Sequence, residues 1–441
     1  MEGAALILVF LLGIAAIILL TAKLKLHAFL SIFLVTITMG LAFQLPPTEL
    51  IKLILQGFAN VLGYIAIITL SACIIGEVLD KTGATLTFSN SILRIVGRSR
   101  SPLAVGLAGY LLAVPLICCD TAFIMLSPVA RSLAGGSGFP LSLLAMALAV
   151  GAYTSFKLVF PACPLFPATI FGADFGKVLV LGLLTSIPTF IVGMLWAYRG
   201  RSELTGEEIS ELSYEELRKK YAKLPSALAS YAVILTPIAL ICIKSLLDGV
   251  RPESDIARVI FDFLGHPIIA LPIGVALSLR LARGASMKEI NGWVSEGIGR
   301  AASILAIVGA GGALGSVLQG VGIGTYLGKA IVSVGVPGVL VIFLVAAAIK
   351  TGQGSSMVTM VTAPSIILPI LPSLAVSPVL ASLAVCAGAM ISVHANDSYF
   401  WVVTGFSKID VPTGYRRLTA VTVIQGLVAI AAVILFGALF G

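Results

Sequence analysis

The chain is dominated by long apolar runs, such as AALILVFLLGIAAIILLTA (4–22) and GKVLVLGLLTSIPTFIVGMLWAY (176–198). A run of about 20 apolar residues is the length a helix needs to cross a bilayer's hydrocarbon core. Such a run has one stable form there, because lipid offers no partners to exposed backbone N–H and C=O groups. Further candidate spans lie at 26–44, 53–79, 102–119, 227–247, 262–282, 301–319, 337–349 and 417–440. Others are interrupted by Gly, Pro or polar residues, and the whole chain predicts 10–12 membrane segments. The composition agrees: 11% of residues are charged and 59% hydrophobic, where soluble domains carry about 25% charged residues. The expected fold is therefore an all-α polytopic membrane protein.

The net charge of +8 does not point to nucleic acid. The cations fall in short loops, and no basic stripe with interleaved aromatics occurs. Lys23 and Lys25, the Arg94/Arg98/Arg100 cluster, the basic loop from Arg199 to Lys223, and Arg280, Arg283 and Lys288 mark four connections. The positive-inside rule makes all four cytoplasmic, which leaves the N-terminus outside the plasma (cytoplasmic, in Gram-negative cells inner) membrane. The first apolar run lacks a basic leader and reads as a retained span. The six cysteines lie in or beside apolar stretches without C-x-x-C spacing, and there are three histidines and no H-E-x-x-H. No metal or other cofactor is expected. Trp196, Tyr198, Trp293 and Tyr415 near segment ends read as interfacial anchors.

Internal repetition organises the rest. IAIITLSACIIGEVLDKTG (65–83) resembles LAIVGAGGALGSVLQGVG (305–322). CDTAFIMLSPV (119–129) resembles SSMVTMVTAPS (355–365), and LAMALAVGAYTSFK (144–157) resembles LASLAVCAGAMISVH (380–394). The separation stays near 240 residues. Segment 53–79 runs towards a cytoplasmic loop and 301–319 leaves one, so the repeats are inverted. Inverted repeats with interrupted helices characterise secondary transporters, whose substrate sites lie near the midplane. The expected organisation is N-terminal spans (1–52), a first repeat with a re-entrant hairpin (53–198), a cytoplasmic linker (199–225), connecting spans (226–288), and a second repeat with its hairpin and C-terminal span (289–441). Within the linker, Thr205 and Glu208 have capping-box spacing, which predicts an amphipathic surface helix.

Four polar islands interrupt this apolar background. They are Asp120-Thr121; Thr154, Ser155 and Lys157; KTGQGSS (350–356); and His394, Asn396, Asp397 and Ser398. Gly and Pro flank all of them. An unwound helix at membrane depth survives only where it packs in protein or lines a wet cavity. The N–H groups at a half-helix N-terminus then suit an anion. Lys350, Gln353, Gly354, Ser355 and Ser356 offer one cation with neutral donors, which fits a carboxylate flanked by hydroxyls better than a phosphate. Thr154, Ser155, Lys157, Asn396 and Ser398 complete the candidate substrate site. Asp120 and Asp397 are candidate proton carriers because a buried carboxylate is expensive unless paired or protonated. His394 is a candidate relay. Each residue also has a structural alternative: self-capping for Ser356 and Thr154, snorkelling for the lysines, and a helix contact for His394 and Asn396. Glu77 and Asp80 beside Lys81 read as a solvated ion-pair group.

On these islands the chain resembles the gluconate–proton symporter family of permeases, within the wider ion-transporter superfamily. HANDSYFW (394–401) is similar to that family's His-x-Asn-Asp-Ser-x-Phe-Trp, and CDTAF (119–123) and KTGQGSSMVT (350–359) to two further motifs. One stretch departs from the pattern. Where the family carries His-Gly-Phe-Leu-Pro-Pro-His-Pro, this chain has TSFKLVFPACPLFPA (154–168), with the prolines kept, the histidines absent and Lys157 close by. The resemblance implies proton symport of a gluconate- or glycerate-like hydroxy acid, two inverted repeats with re-entrant hairpins, and a homodimer. A sodium-coupled carboxylate transporter is the main alternative, since backbone carbonyls with Asn396-Asp397 and Ser355-Ser356 could hold Na⁺. An anion channel and an intramembrane enzyme fit less well: the islands are discrete, and no nucleophile–base pair is readable.

Overall fold

The computed structural model describes residues 3–88, 91, 100–114, 119–200, 224–250, 256–323, 336–395 and 397–440. No strand occurs among them. In chain order the helices are α1 (Gly3–Ile18), α2 (Ala28–Ala42), α3 (Pro47–Lys81), α4 (Ser101–Ala113), α5 (Cys119–Ser137), α6 (Leu141–Leu158) and α7 (Leu165–Phe171). They continue with α8 (Phe175–Arg199), α9 (Ala227–Val250), α10 (Ile256–Leu264), α11 (Pro267–Leu279) and α12 (Met287–Gly320). The last five are α13 (Gly338–Gln353), α14 (Ser356–Ile367), α15 (Pro378–Gly388), α16 (Ser398–Ser407) and α17 (Ala420–Phe440).

Five described segments are individually long and apolar enough to cross a bilayer, and two bent pairs raise this to seven. The remaining apolar helices, including α2, α4, α13, α14 and α15, are shorter. Each of these has 10–17 residues, and the 10–12 segments the sequence predicts exceed the seven found among the described residues. Leu8, Leu12, Leu55, Ile187, Leu195 and Leu435 are exposed, as expected of a lipid-facing surface.

Local chemistry sets the breaks. The predicted span 262–282 is two helices meeting at 65°. Pro267 has no N–H to continue α10, and the ring of His266 accepts from Ile268 N to cap α11 instead. The span predicted from 53 starts earlier, because Pro47 is favoured at N1, and α3 runs for 35 residues. It bends by 45° around Gly63–Ile65. Likewise α12 begins at Met287, capped by a box in which Ser286 and Glu289 each accept from the other's backbone. The linker's predicted helix, with Thr205 and Glu208, lies outside the described residues, as do Arg94 and Arg98.

The contacts repeat between the halves. Helices α3 and α12, matched in sequence, pack against each other along their length, and the backbones meet where Gly57 faces Gly312. In the first half α4 packs on α6 and α6 on α8; in the second, α13 packs on α15 and α15 on α17. Across the halves α7 touches α14 and α15, while α16 touches α5 and α6. Small residues permit this closeness, as in membrane helix packing generally. A Cβ on Gly151 of α6 would lie 1.9 Å from the Gly106 carbonyl of α4, and one on Gly388 of α15 would lie 2.5 Å from the Phe343 carbonyl of α13. Every residue of α6 is buried. The core is thus the crossing of α6 and α15 with the helix ends that follow them.

One ionic group departs from expectation. Glu77 is fully buried rather than solvated, 2.8 Å from Arg300 of α12 and 3.5 Å from Lys81, which also meets Glu296 at 2.8 Å. The facing helix supplies the partners, which spacing along α3 alone does not reveal.

Candidate functional site

The KTGQGSS island is a helix break. Helix α13 ends at Gln353, and Gly354 turns the chain at φ +83°, a conformation open to glycine at little cost. Ser355 then caps α14, its hydroxyl accepting from Val358 N at 3.3 Å. The opening of α16 is built similarly: Asp397 is its N-cap, with Oδ1 accepting from Tyr399 N at 2.9 Å. In the first half, α6 ends at Leu158, residues 159–164 form an irregular stretch containing Pro161 and Pro164, and α7 follows. Asp120 stands in the first turn of α5.

These breaks meet. A cavity of about 300 Å³ is lined by Cys119, Asp120, Phe156, Gln353, Gly354, Ser355, Ser356, Met357, Asp397 and Ser398. Three helix N-termini, those of α5, α14 and α16, open onto it. A second polar cavity, of about 330 Å³ beside Asp174, Lys244 and His266, contains none of the residues the sequence singles out.

Two carboxylates, Asp120 and Asp397, line the first cavity, and two buried lysines, Lys350 and Lys157, belong to the helices that supply its wall residues Gln353 and Phe156. Lys350 is fully buried, and its ammonium donates to Asp397 Oδ2 and to the Gly354 carbonyl, both at 2.7 Å. Asp397 therefore holds the lysine with one oxygen and caps α16 with the other. This pair joins the two sides of the second-half break across 47 residues of sequence. Lys157 is also fully buried, yet its Nζ has no hydrogen-bond partner among the described residues. It lies 4.8 Å from the ring centroid of Tyr153 and 4.9 Å from that of Phe156. Taking an ammonium out of water costs several kcal/mol, and desolvated ring contacts return about 2 kcal/mol each. Asp120 has neutral partners: Ser398 donates to its Oδ2 at 2.6 Å and the Cys119 thiol approaches Oδ1 at 3.7 Å.

The other sequence candidates divide. Gln353 lines the cavity, donating from Nε2 to Thr359 at 3.1 Å while its Oε1 is buried without a partner among the described residues. The Ser155 hydroxyl is likewise buried and has no hydrogen-bond partner among them. Thr154 does not line the cavity; it donates to the Val150 carbonyl and accepts from Gln425 Nε2 of α17, both at 2.7 Å. His394 is half-buried outside the cavity lining, with Nε2 3.0 Å from the Thr351 carbonyl. Asn396 lies outside the described residues.

Sequence reading overlooked two tyrosines that lock the halves together. Tyr153 and Tyr399 stack at 5.6 Å. The Tyr153 hydroxyl donates to the Met390 carbonyl and that of Tyr399 to the Ala149 carbonyl, each at 3.0 Å. A tyrosine inside an apolar run is itself a signal, since a buried phenol needs a partner. Trp196, expected as an interfacial anchor, also packs on Arg417 and donates to its carbonyl at 3.2 Å.

A multi-pass helical protein whose helix tips enclose a polar cavity lined by two carboxylates has the build of a membrane permease. The sequence matches the family described as GntP family permease over residues 5–439, and the chain belongs to that family. It is 29% identical to the gluconate permease of Pseudomonas aeruginosa over 98% of both chains. It is 30% identical to the low-affinity gluconate transporter of Escherichia coli K12 over 96% of both. The D-serine transporter DsdX of E. coli K12 matches at 27%, also over 96% of both. Among solved structures, the Alcanivorax borkumensis YdaH transporter, described as having an unusual topology, shares the fold with a TM-score of 0.64 over 89% of both chains at 16% identity.

Proposed function

We propose that this permease imports a small hydroxy-carboxylate, gluconate- or glycerate-like, together with a proton. The observation that carries the reading is the cavity itself: three helix N-termini and the residues Ser355, Ser356 and Ser398 meet at one space, and the buried Lys350 is bonded to two members of its wall, Asp397 and Gly354. N-terminal N–H groups and cations favour an anion, while hydroxyls and the Gln353 amide favour a substrate that carries hydroxyls. The named relatives support this chemistry, since gluconate and D-serine both pair a carboxylate with a hydroxyl.

The same geometry favours proton coupling. Asp397 is committed to Lys350 and to the α16 cap, which makes it a positioning group. Asp120 lines the cavity and has only neutral hydrogen-bond partners among the described residues, Ser398 and Cys119, and it is the proton carrier of this reading. A proton bound here offsets the substrate's negative charge as the site crosses the low-dielectric barrier. The site needs no cofactor beyond the coupling ion. The N-terminus-outside orientation, the division into repeats at 53–198 and 289–441, and a homodimeric assembly belong to this reading.

The test is uptake of labelled gluconate and glycerate into proteoliposomes with an inward pH gradient, without one, and with sodium replaced by choline. Gradient-stimulated, sodium-independent uptake supports the reading. Uptake that ignores the pH gradient and fails in choline moves the coupling to Na⁺.

A further inference from the structure

We infer that Gln353 is the residue that reads a hydroxyl of the substrate: its Oε1 is an acceptor held in one orientation, so the group that meets it must be a donor. This deepens the reading above and rests on its claim that the cavity takes a hydroxy-carboxylate. Gln353 is the last residue of α13, just before the Gly354 turn, and it is part of the cavity wall. It is 8% exposed. Its amide reaches across the break to α14, with Nε2 3.1 Å from the hydroxyl of the fully buried Thr359. Its Oε1 is buried and has no hydrogen-bond partner among the described residues.

The network around Thr359 fixes which end of the amide is left over. The Thr359 hydroxyl donates to the Ser355 carbonyl at 2.9 Å. A hydroxyl has one proton to give. Thr359 therefore meets Gln353 as an acceptor, and only the NH₂ end of the amide can serve it. Turning the amide over would set two oxygens against each other with no proton between them. The carbonyl end is thus the one that remains.

Elsewhere in the wall, acceptors already have donors. Asp397 takes Lys350 and the Tyr399 N–H, the Gly354 carbonyl takes Lys350, and Asp120 takes the Ser398 hydroxyl. Gln353 Oε1 stands apart from these, and a donor for it has to arrive from the cavity. The helix N-termini suit a carboxylate, but they do not tell a hydroxy acid from its deoxy or keto counterpart. Oε1 does. A substrate hydroxyl supplies the missing bond, a hydrogen on the same carbon leaves the buried acceptor unmet, and a ketone sets oxygen against oxygen.

The experiment measures affinities by titration calorimetry on the full-length protein in detergent. The ligands are glycerate, gluconate, and analogues of each that lack one hydroxyl or carry a ketone in its place. For glycerate these are lactate, 3-hydroxypropionate and hydroxypyruvate. Wild type is expected to lose about 10- to 100-fold in affinity when the hydroxyl at one position is removed, and at least as much when it becomes a ketone. Gln353→Met, of similar shape without the acceptor, is expected to bind the hydroxy acid and that deoxy analogue about equally. A purely structural role would weaken both together and preserve their ratio, so a ratio unchanged from wild type overturns the inference. If Gln353→Met does not fold or bind, Thr359→Val decides. It releases Nε2 and lets the amide turn, so the preference for hydroxyl over ketone must shrink; an unmoved preference overturns the inference. Wild type that binds hydroxy acids and their analogues alike overturns this inference alone, whereas no binding of glycerate or gluconate to wild type overturns the functional reading beneath it.

Discussion

Two lysines are buried to the same degree, and the described residues treat them differently. Lys350 holds Asp397 and the Gly354 carbonyl, so its charge is spent on keeping the second-half break in shape. Lys157, at the end of α6, has no hydrogen-bond acceptor among the described residues and sits against Tyr153 and Phe156. The second half places His394 in the corresponding stretch, half-buried and directed at the Thr351 carbonyl. The contrast teaches that burial of a charge does not by itself mark function. What separates the two cations is the hydrogen-bond partner that the described residues supply to one and not to the other.

That contrast can be broken most directly by removing one charge at a time. Lys350→Met and Asp397→Asn each orphan the other member of a buried pair and are expected to cost about 3–5 kcal/mol. Unfolding in detergent followed by helical signal measures this, and the double variant is expected to recover most of the loss. Lys157→Met orphans nothing, so its stability should stay within about 1 kcal/mol of wild type or rise. Equal destabilisation by Lys157→Met and Lys350→Met would dissolve the distinction.

The two halves can be compared through their packing next. Gly151→Ala drives a methyl into the Gly106 carbonyl, and Gly388→Ala presses less closely on that of Phe343. Overpacking of this kind costs about 1–3 kcal/mol, and melting temperatures should rank Gly151→Ala below Gly388→Ala. A smaller change is expected for Thr154→Val, which leaves the buried Gln425 amide without its acceptor at a cost of about 1–2 kcal/mol. Because Thr154 is off the cavity wall, KM for gluconate should not move; a large rise would return Thr154 to the binding site. The smallest effect is expected for His394→Asn, about 1 kcal/mol or less. Its uptake–pH profile should overlay that of wild type, and a displaced profile would restore His394 as a relay.

Much of the site was legible because polarity inside an apolar run is costly wherever it occurs. Asp120, Gln353, Gly354, Ser355, Ser356, Asp397 and Ser398 stand out in the sequence, and the structure places all seven at one cavity. The Gly354 turn and the proline-broken stretch after α6 were legible for the same local reasons. The pairing of groups was not. Nothing in linear order says that Lys350 meets Asp397 rather than a substrate, or that Thr154 is consumed by Gln425 on the last helix. Glu77 shows the same limit: its neighbour Lys81 suggests a solvated pair, while the partner that buries it, Arg300, lies more than two hundred residues away.

The sequence by itself determined that this chain crosses a membrane many times and where several of its helices break. These follow from hydropathy, periodicity and backbone chemistry, which act over one or two turns. Only the tertiary structure decided which breaks face one cavity, which charges neutralise each other, and which lysine has no hydrogen-bond partner among the described residues. Those outcomes depend on distances between residues far apart in the chain, and at low dielectric a few ångströms separate a salt bridge from an uncompensated charge.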